Sequence, residues 1–170
     1  MKSIVAFLFS FLVYTVAAQK TVMPSDKFSV EGKLKQALLF SIADLDTFKS
    51  ISLPDVVITN HLGEKKHTLT NMKGILLKDI LSKAEIDAEN PKVLSEFYFE
   101  FVATDNYKIV FSWNEIFNTE TGNNIYIIME EGGKKIREID GRISMVTLTD
   151  FKTGRRHMSN ISKIIVERVH

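Results

Sequence analysis

The residues best suited to chemistry are four basic side chains in the C-terminal part of the sequence: Arg142, Arg155, Arg156 and His157. A guanidinium presents a rigid fork of N–H donors that matches a phosphate or a carboxylate in two parallel hydrogen bonds. These residues therefore indicate a binding site for a small anion. The alternative is that residues 153–156 form a solvated hairpin turn between two strands.

A second group, Asp105, Asn106 and Tyr107, separates two strand-like segments. Asp and Asn favour turns because their side chains hydrogen-bond to nearby backbone groups, and Asn tolerates the left-handed backbone conformation. The simpler interpretation is a turn after which Tyr107 begins a strand and covers the core. The other interpretation is that the three residues contribute to a ligand site.

The four histidines are a further group with possible metal or proton chemistry. His61 and His67 fall on opposite arms of a predicted hairpin, where two imidazoles could hold a divalent metal. Their spacing matches no established ligand signature and no third ligand is evident, so we predict no metal site. The sequence contains no cysteine, which excludes thiolate catalysis and ligation of an Fe–S cluster.

The elements that would position these side chains are mainly short strands. Alternation and aromatic content predict strands at residues 28–32, 56–59, 66–69, 97–102, 107–111, 124–129, 142–148 and 161–169. Capping boxes that begin at Ser41 and Ser112 predict two short helices. Gly74 is expected to precede a third helix, whose apolar face carries Leu76, Leu77, Ile80 and Leu81. The pattern predicts a single mixed α/β domain.

Three segments of this domain carry recognisable motifs. Residues 103–112 (ATDNYKIVFS) resemble a strand motif of the form DGY…(V/L)…S. Residues 140–146 occupy the position at which a G-x-P-x-R motif would follow. Residues 154–166 resemble a closing motif of the form G-x-R-x-V-K. Weaker motifs precede them in the expected order at residues 30–32, 41–45 and 74–81. Together the motifs resemble the oxidoreductase molybdopterin-binding domain family, of the sulfite-oxidase type, over residues 28–169.

The resemblance implies both a fold and a cofactor. The fold is α/β and strand-rich, with a mostly antiparallel, coiled sheet and short peripheral helices. The cofactor is molybdopterin, whose anionic phosphate groups would be held by arginines and backbone amides. The cofactor-binding residues implied in this way are Arg142, Arg155, Arg156, His157, Asp105, Asn106 and Tyr107.

The sequence departs from the family where the chemistry takes place. The family binds molybdenum through a cysteine thiolate, which this sequence lacks. Residues 141–145 read GRISM, so the proline and arginine of that motif are missing, and the closing lysine falls on Ser159. Two functions follow. One is oxidoreductase-type cofactor binding without a cysteine ligand; the other is a non-catalytic protein that binds a small anion, a pterin-like ligand or a protein partner.

The N-terminus predicts export to the periplasm or the cell exterior. Lys2 precedes an apolar run, and small residues at 16–18 indicate a signal peptide, residues 1–18, cleaved before Gln19. A polar leader at 19–27 and one domain at 28–170 would follow, with no stable membrane anchor. The signal segment holds one of the 22 basic residues and none of the 21 acidic ones, which leaves 21 of each. This neutrality argues against nucleic-acid binding.

Overall fold

The computed structural model describes residues 23–169. The predicted signal peptide, residues 19–22 of the polar leader, and His170 lie outside the described residues. The strands are β1 (Lys27–Gly32), β2 (Leu38–Ser41), β3 (Ser50–Leu53), β4 (Val56–Thr59), β5 (Lys65–Leu69), β6 (Met72–Leu76), β7 (Phe97–Ala103), β8 (Lys108–Ser112), β9 (Ile125–Glu131), β10 (Lys134–Lys135), β11 (Met145–Thr147) and β12 (Ile161–Arg168). The α-helices are α1 (Ile42–Leu45), α2 (Leu77–Leu81) and α3 (Trp113–Phe117).

The strands form two five-stranded sheets and a separate hairpin. The first sheet has the order β2-β1-β12-β7-β8, the second contains β10-β9-β6-β3 with β11 also paired to β9, and β4 pairs with β5. Every pairing is antiparallel except β1 with β12. The predicted strand-rich α/β class with few short helices is confirmed. The one coiled sheet implied by the resemblance is divided into two sheets.

The main core lies on the inner face of the first sheet, against the second sheet and the helices. Strand β7 alternates, so that Phe97, Phe99 and Phe101 all point inward and are at most 2% exposed. Phe101 meets Phe111 of β8 edge to face, at 5.6 Å between ring centroids. A smaller apolar cluster lies under the β4–β5 hairpin and consists of Leu53, Val56, Ile58, Leu69, Met72, Tyr126, Ile128 and Val146.

Both predicted capping boxes are confirmed. The Ser41 hydroxyl accepts from the Asp44 N–H and the Asp44 carboxylate accepts from the Ser41 N–H, which begins α1. Ser112 and Glu115 make the same exchange at the start of α3. Each exchange satisfies two backbone donors that would otherwise lack partners, which is why these short helices begin where the sequence predicts.

Two predicted elements are wrong in extent. Gly74 and Leu76 belong to strand β6, and the helix begins only at Leu77. A Cβ at Gly74 would lie 2.8 Å from Leu53 Cδ1, so the glycine permits close strand packing and does not mark a helix start. The strand predicted at residues 142–148 is reduced to β11 because Arg142 has a positive φ of 35°, which extended backbone does not allow.

Candidate functional site

The loop after β11 is fastened to the β4–β5 hairpin by one threonine. The Thr153 hydroxyl donates to the Val57 carbonyl at 2.6 Å and accepts from the Thr59 N–H at 3.1 Å. The Lys152 ammonium donates to the His61 carbonyl at 3.0 Å, farther along the hairpin. These bonds bring residues about ninety positions apart into one surface feature.

Gly154 makes this close approach possible. A Cβ on Gly154 would lie 1.9 Å from the Thr59 carbonyl oxygen, which is far inside van der Waals contact with a backbone atom. The hairpin and the loop can therefore touch only if residue 154 has no side chain.

We expect Gly154→Ala to lower the free energy of unfolding by about 1–3 kcal/mol, because the added methyl must displace backbone. Chemical denaturation measures this change. The control is Lys152→Ala, which removes only an exposed contact and should stay within about 0.5 kcal/mol of the parent. Equal stabilities of the Gly154 variant and the parent would contradict the packing described here.

The hairpin, the loop and Tyr107 enclose a cleft of about 330 Å³, called here the basic cleft. It is lined by Ile58, Thr59, Asn60, His61, Lys66, His67, Tyr107, Gly154, Arg155 and His157. Two of these residues are cations and three are imidazoles, and among residues 23–169 no acidic residue lines the cleft. The basic cleft therefore concentrates positive charge in a chain whose overall charge is near zero.

His157 is the least solvated ionisable group of the basic cleft. Its ring lies 6.2 Å from that of His67, centroid to centroid, in an edge-to-face arrangement. Burial, assisted by the nearby His67 and Lys66, lowers the pKa of His157 from 6.5 to about 4. His157 is thus neutral at pH 7, when it offers one donor and one acceptor nitrogen.

Tyr107 reaches the basic cleft from the turn between β7 and β8. Its hydroxyl donates to the Arg155 carbonyl at 2.8 Å, which fixes the backbone of that arginine. Tyr107 is 45% exposed, so the interpretation in which it covers the core is wrong. Its role is to join the turn to the loop.

Asp105 and Asn106 shape that turn and do not line the basic cleft. The Asp105 carboxylate accepts from the Tyr107 N–H at 2.9 Å, and Asn106 has a φ of 71°. This is the turn chemistry expected of Asp and Asn. Their proposed contribution to a cofactor site remains a prediction.

Arg156 lies beside Arg155, but its side chain contacts a different set of residues. Its guanidinium binds Asp150 through two hydrogen bonds of 2.9 and 2.5 Å, donates to Glu115 at 2.9 Å, and stacks 4.3 Å above the centre of the Phe111 ring. The Asp150 hydrogen bonds, opposed only in part by burial, raise the pKa of Arg156 above its ordinary value. Its donors are largely used within the fold, and it does not line the basic cleft.

Arg142 is also separate from the basic cleft. It forms an ion pair with Asp26, next to the first strand. Nearby, Asn160 is 8% exposed, and its side-chain oxygen accepts from the Ser25 N–H at 3.4 Å. The structure therefore brings together Arg155, His157 and Tyr107 of the predicted residues, and places Arg142 and Arg156 elsewhere.

Sequence reasoning missed Lys66, and it considered His61 and His67 only as metal ligands. All three line the basic cleft, because Thr153 and Gly154 hold the hairpin over the loop. The only signal in the sequence was the density of basic residues around the predicted hairpin turn. Within residues 23–169, no three His, Asp or Glu side chains are grouped so as to hold a metal ion.

The described residues include no helix that is long and apolar enough to cross a membrane. No protein-family model matches the sequence, and no curated protein matches it. Among solved structures, the chain is similar to the sulfane dehydrogenase SoxCD from Paracoccus pantotrophus, with a TM-score of 0.60 and 11% sequence identity. The similarity covers 84% of this chain and only 39% of that one. It establishes a distant relationship of fold.

Proposed function

We propose that this chain is an exported binding protein that holds a small anion, bearing a phosphate or a carboxylate, in the basic cleft. The observation that carries the proposal is the lining: every ionisable side chain there, other than the Tyr107 phenol, is basic. A cleft with charge of one sign attracts the opposite charge and raises its local concentration. Its volume of 330 Å³ suits a small ligand or one end of a larger one.

In this proposal the lining residues have different roles. Arg155 and Lys66 are exposed and supply the cations that attract and contact the anion. Tyr107 holds the Arg155 backbone, and so reduces the ordering that binding would require. The neutral ring of His157 can donate one hydrogen bond, and an anion beside it would favour its protonated form.

Molybdopterin, the cofactor implied by the resemblance, fits this cleft only in part. A phosphate group fits the basic lining. The molybdenum does not fit, because no side chain of this sequence can supply a thiolate ligand. In addition, Arg156, the arginine of the closing motif, is engaged by Asp150 and Glu115. The residues present therefore do not fit molybdopterin with its metal bound.

An oxidoreductase is the second candidate, and the similarity of fold to a sulfane dehydrogenase favours it. Its test is elemental and pterin analysis of the protein purified without chelator from a host that makes molybdopterin. Near-stoichiometric molybdenum, together with a fluorescent pterin oxidation product, would support the oxidoreductase and a metal site without cysteine. Absence of both would count against the oxidoreductase. Determination of the N-terminal residue of the same sample, expected to be Gln19, tests export.

Anion binding is tested by the stabilisation that an anion produces. Sulfate, phosphate and pyrophosphate should each raise the melting temperature at constant ionic strength, because a ligand that binds the native state stabilises it. We expect Arg155→Ala to weaken this binding about tenfold, the usual effect of losing one charged hydrogen bond.

Arg137→Ala is the matched control, because Arg137 is exposed and lies outside the basic cleft. Within residues 23–169, its one ion pair is with Asp46. It should retain the affinity of the parent. If none of the three anions raises the melting temperature, and if Arg155→Ala does not change the melting temperature either, the basic cleft is not an anion site.

A further inference from the structure

A second and larger cleft lies away from the basic cleft and has a different chemistry. It has a volume of about 710 Å³ and lies between the end of α2, residues 83–91, and helix α3. Its apolar wall consists of Leu81, Ile86, Leu94, Phe99, Trp113 and Phe117. We call it the aromatic cleft. This volume is typical of small-molecule sites. The apolar wall faces a polar rim that includes Lys35, Lys83, Glu85 and Glu89.

Two partly exposed aromatic side chains of this cleft lie side by side, and the buried Phe99 packs behind them. The Trp113 and Phe117 rings lie 5.4 Å apart, centroid to centroid, and are inclined by 33°; Phe99 lies 6.1 Å from Phe117. Trp113 is only partly buried, and its position is determined by the capping box that begins α3. A planar ring can stack on such a surface in the offset or edge arrangements that aromatic groups prefer.

The opposite wall of the aromatic cleft is held in place by backbone hydrogen bonds and by an ion pair. The Lys35 N–H donates to the Glu85 carbonyl at 2.9 Å, and the Asp87 N–H donates to the Lys33 carbonyl at 3.1 Å. Arg168 binds Glu89 at 3.0 Å, beside the cleft. The cleft is therefore preformed, and a ligand that enters it orders little of the chain.

The rim of the aromatic cleft carries charged side chains, most of which are paired with one another. Lys35 is paired with Glu85, and Glu89 is paired with Arg168. Lys83 also lines the cleft, and it has no ion-pair partner within residues 23–169. The ammonium of Lys83 is complementary to a carboxylate or a sulfonate carried by a ligand whose ring occupies the apolar wall.

From these contacts we infer that the aromatic cleft binds a planar aromatic carboxylate or sulfonate, with the ring against Trp113 and Phe117 and the anionic group at Lys83. This site is separate from the basic cleft, with which it shares no lining residue. The sequence contains one tryptophan, so any signal from an indole N–H reports on this site alone.

The test is a titration of the protein with 1-naphthoate, followed through the Trp113 indole cross-peak in a ¹H–¹⁵N correlation spectrum. We expect a saturable shift with a dissociation constant below about 1 mM. The uncharged analogue 1-naphthalenecarboxamide should bind about tenfold more weakly, because it lacks the charge that Lys83 recognises.

Two variants with little risk to folding complete the test, since both residues are exposed. Lys83→Glu should weaken naphthoate binding about tenfold or more, and Lys92→Glu, which lies nearby but outside the lining, should change it less than about twofold. No Trp113 shift, or binding seen only at the His157 ring signals, would overturn the site. Equal affinities for the acid and the amide, or equal losses in the two variants, would overturn the role of Lys83.

Discussion

Phe101→Ala should lower the free energy of unfolding by about 3–5 kcal/mol, the usual result of truncating a buried phenylalanine. Phe101 is 0% exposed, and its ring packs against Phe111 between the two sheets. The truncation removes buried apolar surface and leaves a cavity that the β7 backbone, paired on both sides, cannot collapse to fill. Urea denaturation followed by circular dichroism measures the change.

Phe151→Ala is the matched control for this experiment. The Phe151 side chain is fully exposed, so its truncation should change stability by less than about 0.5 kcal/mol. If both truncations lowered the free energy of unfolding by a similar amount, the cause would be a change in the unfolded state and not the loss of core packing. A loss below about 1 kcal/mol at Phe101 would show that β7 does not face the core.

Stability should also decline as the pH falls from 6.5 to 4, because of His157. The folded state lowers the pKa of His157 from 6.5 to about 4, so in this interval the unfolded chain binds a proton that the folded protein excludes. The contribution is complete above pH 6.5, is lost progressively toward pH 4, and changes no further below that value. Since one pKa unit corresponds to about 1.4 kcal/mol, the loss should be about 2–3 kcal/mol after allowance for partial solvation.

The control is His157→Asn, which keeps a polar side chain but removes the titration. Its stability should vary much less over the same pH interval, although its absolute stability is lower. Hydrogen bonds to Ser41 and to the Glu89 backbone lower the pKa values of the carboxylates Asp44 and Glu89 below their ordinary values of 3.8 and 4.5. Their contribution to stability is lost as the pH falls through these values, toward the acid end of the His157 interval. Parallel pH profiles for the variant and the parent would show that His157 is solvated and not responsible.

The protonation of His157 also provides a test of the proposed function. A sulfate ion in the basic cleft would favour protonated His157, so the anion should bind more tightly at pH 5 than at pH 7. This coupling should disappear in the His157 variant. A pH-independent sulfate affinity in the parent would place the anion away from His157.

The local elements were predictable because their causes act between neighbouring residues. The exchange between Ser112 and Glu115 spans three positions, and the inward alternation of Phe97, Phe99 and Phe101 requires only the two-residue period of a strand. The errors at Gly74 and Arg142 have a different origin. Each depends on a packing partner or a backbone angle that no local pattern specifies.

Local patterns in the sequence do not predict which arginine lines the candidate site. From the sequence alone, Arg155 and Arg156 are equivalent neighbours, and a motif resemblance favours Arg156. In the structure, Asp150, Glu115 and the Phe111 ring engage Arg156, which leaves Arg155 to face the cleft. Which of the two arginines lines the cleft depends on side chains as many as 45 positions away along the chain, such as Phe111. It also depends on the sheet that brings those side chains close to Arg156.

The sequence by itself thus determined the strand-rich α/β class, the capped helices, the absence of a thiolate and the presence of clustered cations. Those properties follow from composition and from interactions within a few residues. Only the tertiary structure decided which cations meet, because Thr153 and Gly154 join the loop to a hairpin about ninety residues earlier. The contact of distant segments depends on the packing of the whole domain, and no local pattern encodes it.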